Sequence, residues 1–355
     1  MAVAHPASEN LHSADTPESR PAQSRPADSH PRDPHPLESH QPGADRIDIH
    51  QHLWPGELIE ALRVRREAPR LDGWTLILDG EPPYDVRPAD HDPDRRRAHK
   101  DGRIVLGLSS PLGIEDLPAD KGAPLLQAWH QGVTRLAGRF EAWASVSHAE
   151  PDLDALRDRL AAGFVGLQIS AVQLATPGTL ERTAVILRVC EAAGKPVFVH
   201  PGPVAGPDSG PGSGRVAGRT RAGAETERLP SWWAAVVDYP SQLQAAWWSW
   251  QAIGRQLLPD LRICFAAGAG LGPVHHERFL ARGGRPLVSD PGVFVDTSSY
   301  SRQGLDSLIR VLGIDPIVIG SDRPYGEPAV PDLGDAAAFA LRHTNPLRLL
   351  EGTRT

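Results

Sequence analysis

The sequence predicts an α/β fold, a (β/α)8 TIM barrel, from three observations. Eight short runs rich in Val, Ile, Leu and Phe occur at residues 46–51, 103–109, 143–148, 164–169, 196–200, 261–266, 292–297 and 316–321. Their continuous apolar character is that of parallel strands buried on both faces. Stretches with helical spacing of apolar residues lie between them. The runs end in His, Gln, Asp and Ser, and a barrel gathers the C-terminal ends of its strands at one mouth. An open, doubly wound sheet is the competing arrangement of the same elements.

In the first run, Arg46-Ile47-Asp48-Ile49-His50-Gln51-His52, strand geometry sends Asp48, His50 and His52 to one face and Ile47 and Ile49 to the other. Residues 57–100 form an insertion with a strand pair at 74–79 and 84–87. Within 152–161, Leu153, Leu156 and Leu160 recur at helical spacing, and within 179–193 Leu180, Ala184, Leu187 and Cys190 do the same. That second helix stops at Gly194, before Pro196. The Gly/Pro-rich residues 201–228 follow the fifth run and, with 57–100, are expected over the mouth. Gly210–Gly218 lacks the Gly-Lys-Ser/Thr of a phosphate loop and reads as a flexible lid.

A chain of 355 residues suits one large domain, 45–355, behind a tail, 1–44, of Pro, Ser, His, Asp and Glu. The tail has too few apolar side chains to offset its ordering entropy and is expected to be disordered. Its histidines, His5, His12, His30, His35 and His40, are scattered and read as solvated. The formal charge of −7 argues against nucleic acid or an acidic membrane as partner. No apolar run approaches the ~18–20 residues of a membrane span, and the N-terminus lacks a signal-peptide core. Cys190 and Cys264 sit in apolar contexts without CxxC spacing and read as small buried hydrophobes. These features fit a cytoplasmic protein.

Read in order, the strand ends offer His50 and His52, His148, Gln168, His200, Ala267, Asp296 to Ser299, and Ser321-Asp322. Three of the histidines and Asp322 could surround one divalent ion. Imidazole and carboxylate suit Zn2+ best, with Mn2+ and Fe2+ also compatible, and leave positions open for water and substrate. A lone buried histidine is more often a hydrogen-bonded core residue. Ligand-type residues ending several separate strands favour a metal site over coincidence.

Ile47–Trp54, Lys195–His200 and Ile319–Tyr325 together resemble the amidohydrolase superfamily. Within it they are similar to the amidohydrolase-related branch that includes the aminocarboxymuconate-semialdehyde decarboxylase-like enzymes. The resemblance spans about residues 45–350, including Asn345-Pro346, where Asn suits the N-cap and Pro the first turn of the last helix. It implies His50, His52, His200 and Asp322 as the metal ligands, with Asp322 also accepting a proton from bound water in hydrolytic members. Two-metal members carry a bridging lysine at the end of the fourth strand. Gln168 stands there, which implies one metal. Family members usually have a histidine after the sixth strand, in a pattern like Phe-Ala-His-Gly-Gly. This chain has Phe265-Ala266-Ala267-Gly268-Ala269-Gly270. His275 and His276, further on, are the candidates to supply the missing imidazole. At most one would face the site, because consecutive helical residues point about 100° apart.

Arg323 is placed to clamp a substrate carboxylate or to form a salt bridge on the barrel rim. Trp54, His148, Gln168 and Tyr300 are further candidates to line the substrate site. Trp232, Trp233, Trp247, Trp248 and Trp250 crowd one helical region, as packing against the barrel, as an aromatic pocket wall or as a homodimer interface. The leading expectation is a hydrolase of a small amide, ester or lactone working through a zinc-activated water, with Asp322, His275 and His276 as catalytic candidates. The alternative is a non-oxidative decarboxylase of a small unsaturated or aromatic acid. A non-catalytic metal- or ligand-binding barrel, suggested by Ala267, is the third reading.

Overall fold

A computed structural model describes residues 46–79, 81–97, 102–204, 230, 232–286, 289–327 and 333–352. The tail expected at 1–44 and the lid expected at Gly210–Gly218 lie outside the described residues. Eight parallel strands appear in the expected order: β1 (Ile47–His52), β2 (Arg103–Gly107), β3 (Glu141–Ala142), β4 (Leu167–Ser170), β5 (Val197–His200), β6 (Ile263–Phe265), β7 (Val293–Asp296) and β8 (Ile317–Val318). Consecutive strands pair from β1 to β3 and from β4 to β8. Ala144 bridges to Leu167, joining the third strand to the fourth. The ring closes where Ile49 N donates to Ile319 O (3.1 Å), Asp322 N to His50 O (2.8 Å) and His52 N to Arg323 O (2.6 Å). A closed barrel therefore replaces the open-sheet alternative.

The strand runs are apolar because both their faces are covered. Ile49, Val105, Leu167, Phe198, Phe265, Val295 and Val318 are all fully buried. Regular pairing of β3 begins two residues before the expected 143–148, since Val105 and Leu106 pair with Glu141 and Ala142. The insertion after β1 carries three short antiparallel strands rather than two: Arg70–Asp72, Thr75–Ile77 and Tyr84–Asp85. Gly73, at φ +62°, makes the turn between the first two, a conformation glycine reaches without a Cβ clash.

Helix Leu153–Ala161 starts at Asp152, whose side chain accepts from Ala155 N. Helix Pro177–Ala192 starts at a reciprocal Thr176–Thr179 capping box and gives way to Gly194 at φ +60°. The expected cap at Asn345 does not form. Thr344 before it is already helical (φ −64°, ψ −49°), so helical backbone runs from Asp335 to Glu351 through a wide turn at Ala340–Thr344. Asn345 is buried inside that run, and its Nδ2 donates to Ile314 O (3.0 Å) and Ile317 O (2.8 Å), tying the helix to the start of β8.

Trp247 and Trp250 are buried in the main core, Trp247 edge-on to Phe265 at 5.4 Å, whereas Trp232 is exposed. Cys190 and Cys264 are free and buried, and burial pushes the Cys190 thiol up to about 12. Among the described residues no helix is long and apolar enough to cross a membrane.

Candidate metal centre

The site begins with a fault in β1. Asp48 pairs with Ile104, but Gln51, three residues on, pairs with Leu106, only two on. This extra residue is a bulge, a device that re-aims side chains at strand ends. Asp48 stays out of the cluster, accepting from the backbone N of His50 (3.2 Å) and Ser321 (3.0 Å) and from the side-chain Nε2 of Gln51 (2.8 Å). His50 and His52 both turn inward. His200 enters as the last residue of β5, and Asp322 from the loop after β8, at φ +60°, a region Asp tolerates better than most residues.

These four side chains form a group whose ligand atoms all lie within 4.8 Å of one another. His50 Nε2 lies 3.0 Å from His52 Nε2, which lies 3.2 Å from His200 Nε2. Asp322 Oδ1 stands 3.3 Å from His50 Nε2 and 3.2 Å from His52 Nε2. The opposite nitrogen of every ring has its own acceptor. His50 Nδ1 meets Asp296 Oδ2 at 2.6 Å, His52 Nδ1 meets Gly107 O at 3.0 Å, and His200 Nδ1 meets Pro201 O at 2.9 Å. Acceptors at Nδ1 place the proton there and turn three Nε2 lone pairs toward one point.

Three buried lone pairs and a carboxylate oxygen aimed together repel one another unless a cation lies between them. Around a four-coordinate ion with bonds of about 2.0–2.1 Å, neighbouring ligand atoms stand roughly 3.3 Å apart, close to the spacings seen. The donor set thus fits one divalent metal ion. It is the single such group found among the described residues, in keeping with Gln168 at the bridging position.

The charges agree. Burial holds His52 below its ordinary value and His200 well below, so both are neutral donors. Burial also disfavours charge on His50, but Asp296 and Asp322 outweigh it and raise the group. For Asp322, burial opposes ionisation, yet the surrounding imidazoles of His50, His52 and His200 bring it down to about 2.

Asp296, which the sequence placed at a strand end without giving it a role, orients a member of the cluster. At the end of β7, its Oδ2 holds His50 while its Oδ1 accepts from Ala267 N (2.7 Å), Ser298 N (3.0 Å) and Ser298 Oγ (2.6 Å). The available signal was an Asp closing the apolar run Val293-Phe294-Val295. Arg96, buried in the insertion, was missed. Its Nη1 donates to Gln51 Oε1 (3.0 Å) and His52 O (3.0 Å), and its Nη2 to Asp90 O (2.7 Å), fastening the insertion to the end of β1.

The other candidates divide. Gln168 is buried beside the cluster, its amide donating to Leu108 O and to Ser110 Oγ (2.9 Å). His148 is tied to Asp116 at 2.8 Å and is not in the ligand group. Arg323 directs Nε (3.2 Å) and Nη2 (3.0 Å) to Glu327 Oε2, a rim ion pair. Trp54 is buried, bonded to Ser109 Oγ (3.0 Å) and stacked on His91 at 4.4 Å, so it supports the mouth from behind. Tyr300 is half-buried. Neither His275 nor His276 joins the ligand group; His275 is exposed and lines a surface groove with Trp248, Arg278, Phe279 and Arg282. The reason is the chain path. Ala267, Gly268, Ala269, Gly270 and Leu271 all take positive φ (45° to 60°), a left-handed turn that precedes the segment carrying the pair.

No family model matches the chain. A 2-amino-3-carboxymuconate-6-semialdehyde decarboxylase of Dictyostelium discoideum is 28% identical over 155 residues, 39% of this chain. The match spans only 38% of that relative's length. Among solved structures, the apo form of Metarhizium anisopliae IDCase superposes with a TM-score of 0.65 at 20% identity, covering 86% of this chain and 96% of that one. The 5-carboxyvanillate decarboxylase of Novosphingobium aromaticivorans, complexed with manganese and a nitrobenzoic acid, gives 0.60 at 16% identity, covering 88% and 97%. The fold is that of the amidohydrolase-related barrels.

Within this fold the hydrolytic expectation is corrected. Several of the similar proteins are decarboxylases of named substrates, while others are named only as amidohydrolases, with no substrate given. Ligand types alone had not separated the two chemistries, because both use the same imidazole–carboxylate set.

Proposed function

We propose that this chain is a metal-dependent, non-oxidative decarboxylase of a small aromatic or unsaturated carboxylic acid. The convergence of three Nε2 atoms and the Asp322 carboxylate carries the reading, and the named reactions of similar proteins support its class. His50, His52, His200 and Asp322 would hold one divalent ion, Zn2+ or Mn2+. When bound, such an ion supplies positive charge that orients a carboxylate-bearing substrate and stabilises negative charge as the C–C bond breaks.

The chain's own groups do the rest. Asp296, Gly107 O and Pro201 O fix the imidazoles in the tautomer that presents Nε2. Breaking the bond to the carboxyl group releases CO2 and leaves the electron pair on carbon, which must then take a proton. Ala267 has no proton to give. Asp322, with a side chain 20% exposed where His50 and His52 are at 2% and 1%, lies on the open side of the cluster. We assign it the transfer of a proton from solvent to that carbon.

The test is CO2 release from a panel of hydroxybenzoates, including 2,6-dihydroxybenzoate, by protein loaded with Mn2+ or Zn2+. Release that stops on chelation and returns with metal is the expected result. No release from any panel member by metal-replete protein sinks the proposal.

A further inference from the structure

A concentration of positive charge lies at the opposite end of the barrel from the metal centre. A cleft of about 1200 Å3 opens among residues that precede strands, including Arg262 before β6 and Gly292 before β7, whereas the proposed ligands sit at or beyond strand ends. Arg255, Arg262, Arg282, Arg285 and Arg348 line it. Among the described residues the only carboxylates in its walls are Asp260 and Asp290. Asp290 is already taken, since it accepts from Arg255 Nε (2.5 Å) and Nη2 (2.9 Å). This excess of arginine stands on a chain whose formal charge is −7. Elsewhere on the surface Arg63, Arg139 and Arg157 each meet a carboxylate. In the cleft Arg262 meets only carbonyls. Its Nε donates to Leu349 O (2.8 Å) and its Nη2 to Gly194 O (2.7 Å) and Leu350 O (3.3 Å), leaving Nη1 without a protein partner among the described residues. Arg348 donates to Asp315 O (3.4 Å) and rests on the ring of Phe294. Arg282 and Arg285 are exposed and form no ion pair among the described residues.

Carbonyls fix a guanidinium without neutralising it. Arg262 and Arg348 are therefore held in place with their charge uncompensated, and little further entropy is lost when an anion meets them. The guanidinium fork matches phosphate oxygens in pairs, and arginines spread along one cleft suit an anion of several charges better than a single carboxylate. The cleft runs on into the groove of Trp248 and His275, with which it shares Phe279 and Arg282. There the rings of Trp248 and Phe279 stand 5.0 Å apart, an apolar surface that a planar base can cover. We propose that this cleft is a binding site for a polyphosphate group, free or carried by a nucleotide, with Arg262, Arg282, Arg285 and Arg348 as its donors. The site is independent of the decarboxylase reading, because it uses none of the residues of the metal centre.

Titration calorimetry on the metal-loaded full chain, without magnesium, tests it with pyrophosphate, ATP and citrate as probes. The double variant Arg282→Glu/Arg285→Glu is expected to weaken binding of pyrophosphate and ATP by about 10-fold or more, the scale of one charged hydrogen bond. Both positions are exposed, so the variant should fold, and any metal drawn off by a probe is lost equally from both proteins. Arg182→Glu, exposed on helix Pro177–Ala192 and outside the cleft, is expected to change neither affinity. ATP that binds more tightly than pyrophosphate, and loses that advantage in Phe279→Ala, supports the proposal with a nucleotide as the source. Equal binding of the two, unmoved by Phe279→Ala, supports it with free polyphosphate. A wild type that binds neither, unchanged affinity in the double variant, or an equal loss in Arg182→Glu overturns it. Citrate bound as tightly as pyrophosphate also overturns it, because carboxylates would then serve as well as phosphates.

Discussion

Asp296 and His50 meet at 2.6 Å between buried atoms, on strands that are far apart in sequence and close in the barrel. The carboxylate does not join the ligand group. It sets the proton on Nδ1, orients the ring, and through its second oxygen anchors Ala267 and Ser298. One side chain thus links the first proposed ligand to the loop after β6, where Ala267 stands in place of the histidine that the sequence resemblance led one to expect.

Replacing this carboxylate should weaken the metal site without removing a ligand. Asp296→Asn keeps the shape but offers His50 a neutral partner, and such outer partners are typically worth 10–100-fold in metal affinity. Titration with Mn2+ against a competing chelator is expected to show a loss in that range, with near-wild-type circular dichroism. Unchanged affinity would show that Asp296 serves the loop alone.

Gly107 gives a stability prediction. A Cβ there would fall 2.2 Å from Gln168 Oε1 and 3.7 Å from His52 Cε1, while Gly107 O must still hold His52 Nδ1. Gln168 is pinned by Leu108 O and Ser110 Oγ and cannot retreat freely. Gly107→Ala should cost about 1–3 kcal/mol, as overpacking does, and weaken metal binding with it. A urea denaturation series alongside the metal titration checks both; a variant as stable as wild type would mean the strand shifts to make room.

Much of this was legible in the sequence. The eight strands were readable because Val, Ile, Leu and Phe fill positions buried on both faces, as Phe198 and Phe265 do. His50, His52, His200 and Asp322 were readable because ligand chemistry restricts residue type and each ends a strand or follows one. What failed depended on partners remote in sequence. The bulge between Asp48 and Gln51 is set by pairing with β2, and nothing in the local alternation announces it. Asn345 looked like a cap because its two carbonyl partners, Ile314 and Ile317, lie outside its helix. The missed role of Asp296 needed the closed barrel that brings β7 near β1.

Acid should destabilise the fold through histidines that serve as buried acceptors. His130 Nε2 accepts from Ser145 N (3.2 Å), and burial, helped by the nearby Arg159 charge, lowers the group to about 3. The folded state therefore binds fewer protons here than the unfolded chain. Its contribution is full above about pH 6.5, where the unfolded histidine is neutral, and is lost as pH falls toward about 3. His91, lowered to about 4 mainly by burial while accepting from Trp54 N, acts in the same direction. Unfolding free energies from denaturant titrations are expected to fall by roughly 1 kcal/mol per pH unit between pH 7 and 5 for each such group. His130→Gln keeps an acceptor for Ser145 and should flatten part of that slope; an unaltered slope would assign it to other groups.

Ala267 is where catalysis has most to gain. Its backbone N already bonds to Asp296 Oδ1 and Ser298 Oγ, so the loop's anchoring does not depend on the side chain. Its φ of +45° is a conformation that His adopts more readily than most residues, and the position is only half-buried. Ala267→His should therefore fold, keep its metal, and place a proton donor beside the cluster. A positioned general acid is typically worth about 10²–10⁴-fold. With no surrounding shell shaped to orient this one, a rise of about tenfold in CO2 release is the expectation. Ala267→Gln adds comparable bulk without a titrating group and should not share the gain. The rate of Ala267→His should also acquire a limb near the ordinary histidine value of about 6.5, falling as pH rises through it and the donor is lost. If metal-replete Ala267→His is no faster than Ala267→Gln at any pH, proton delivery is not what limits this barrel.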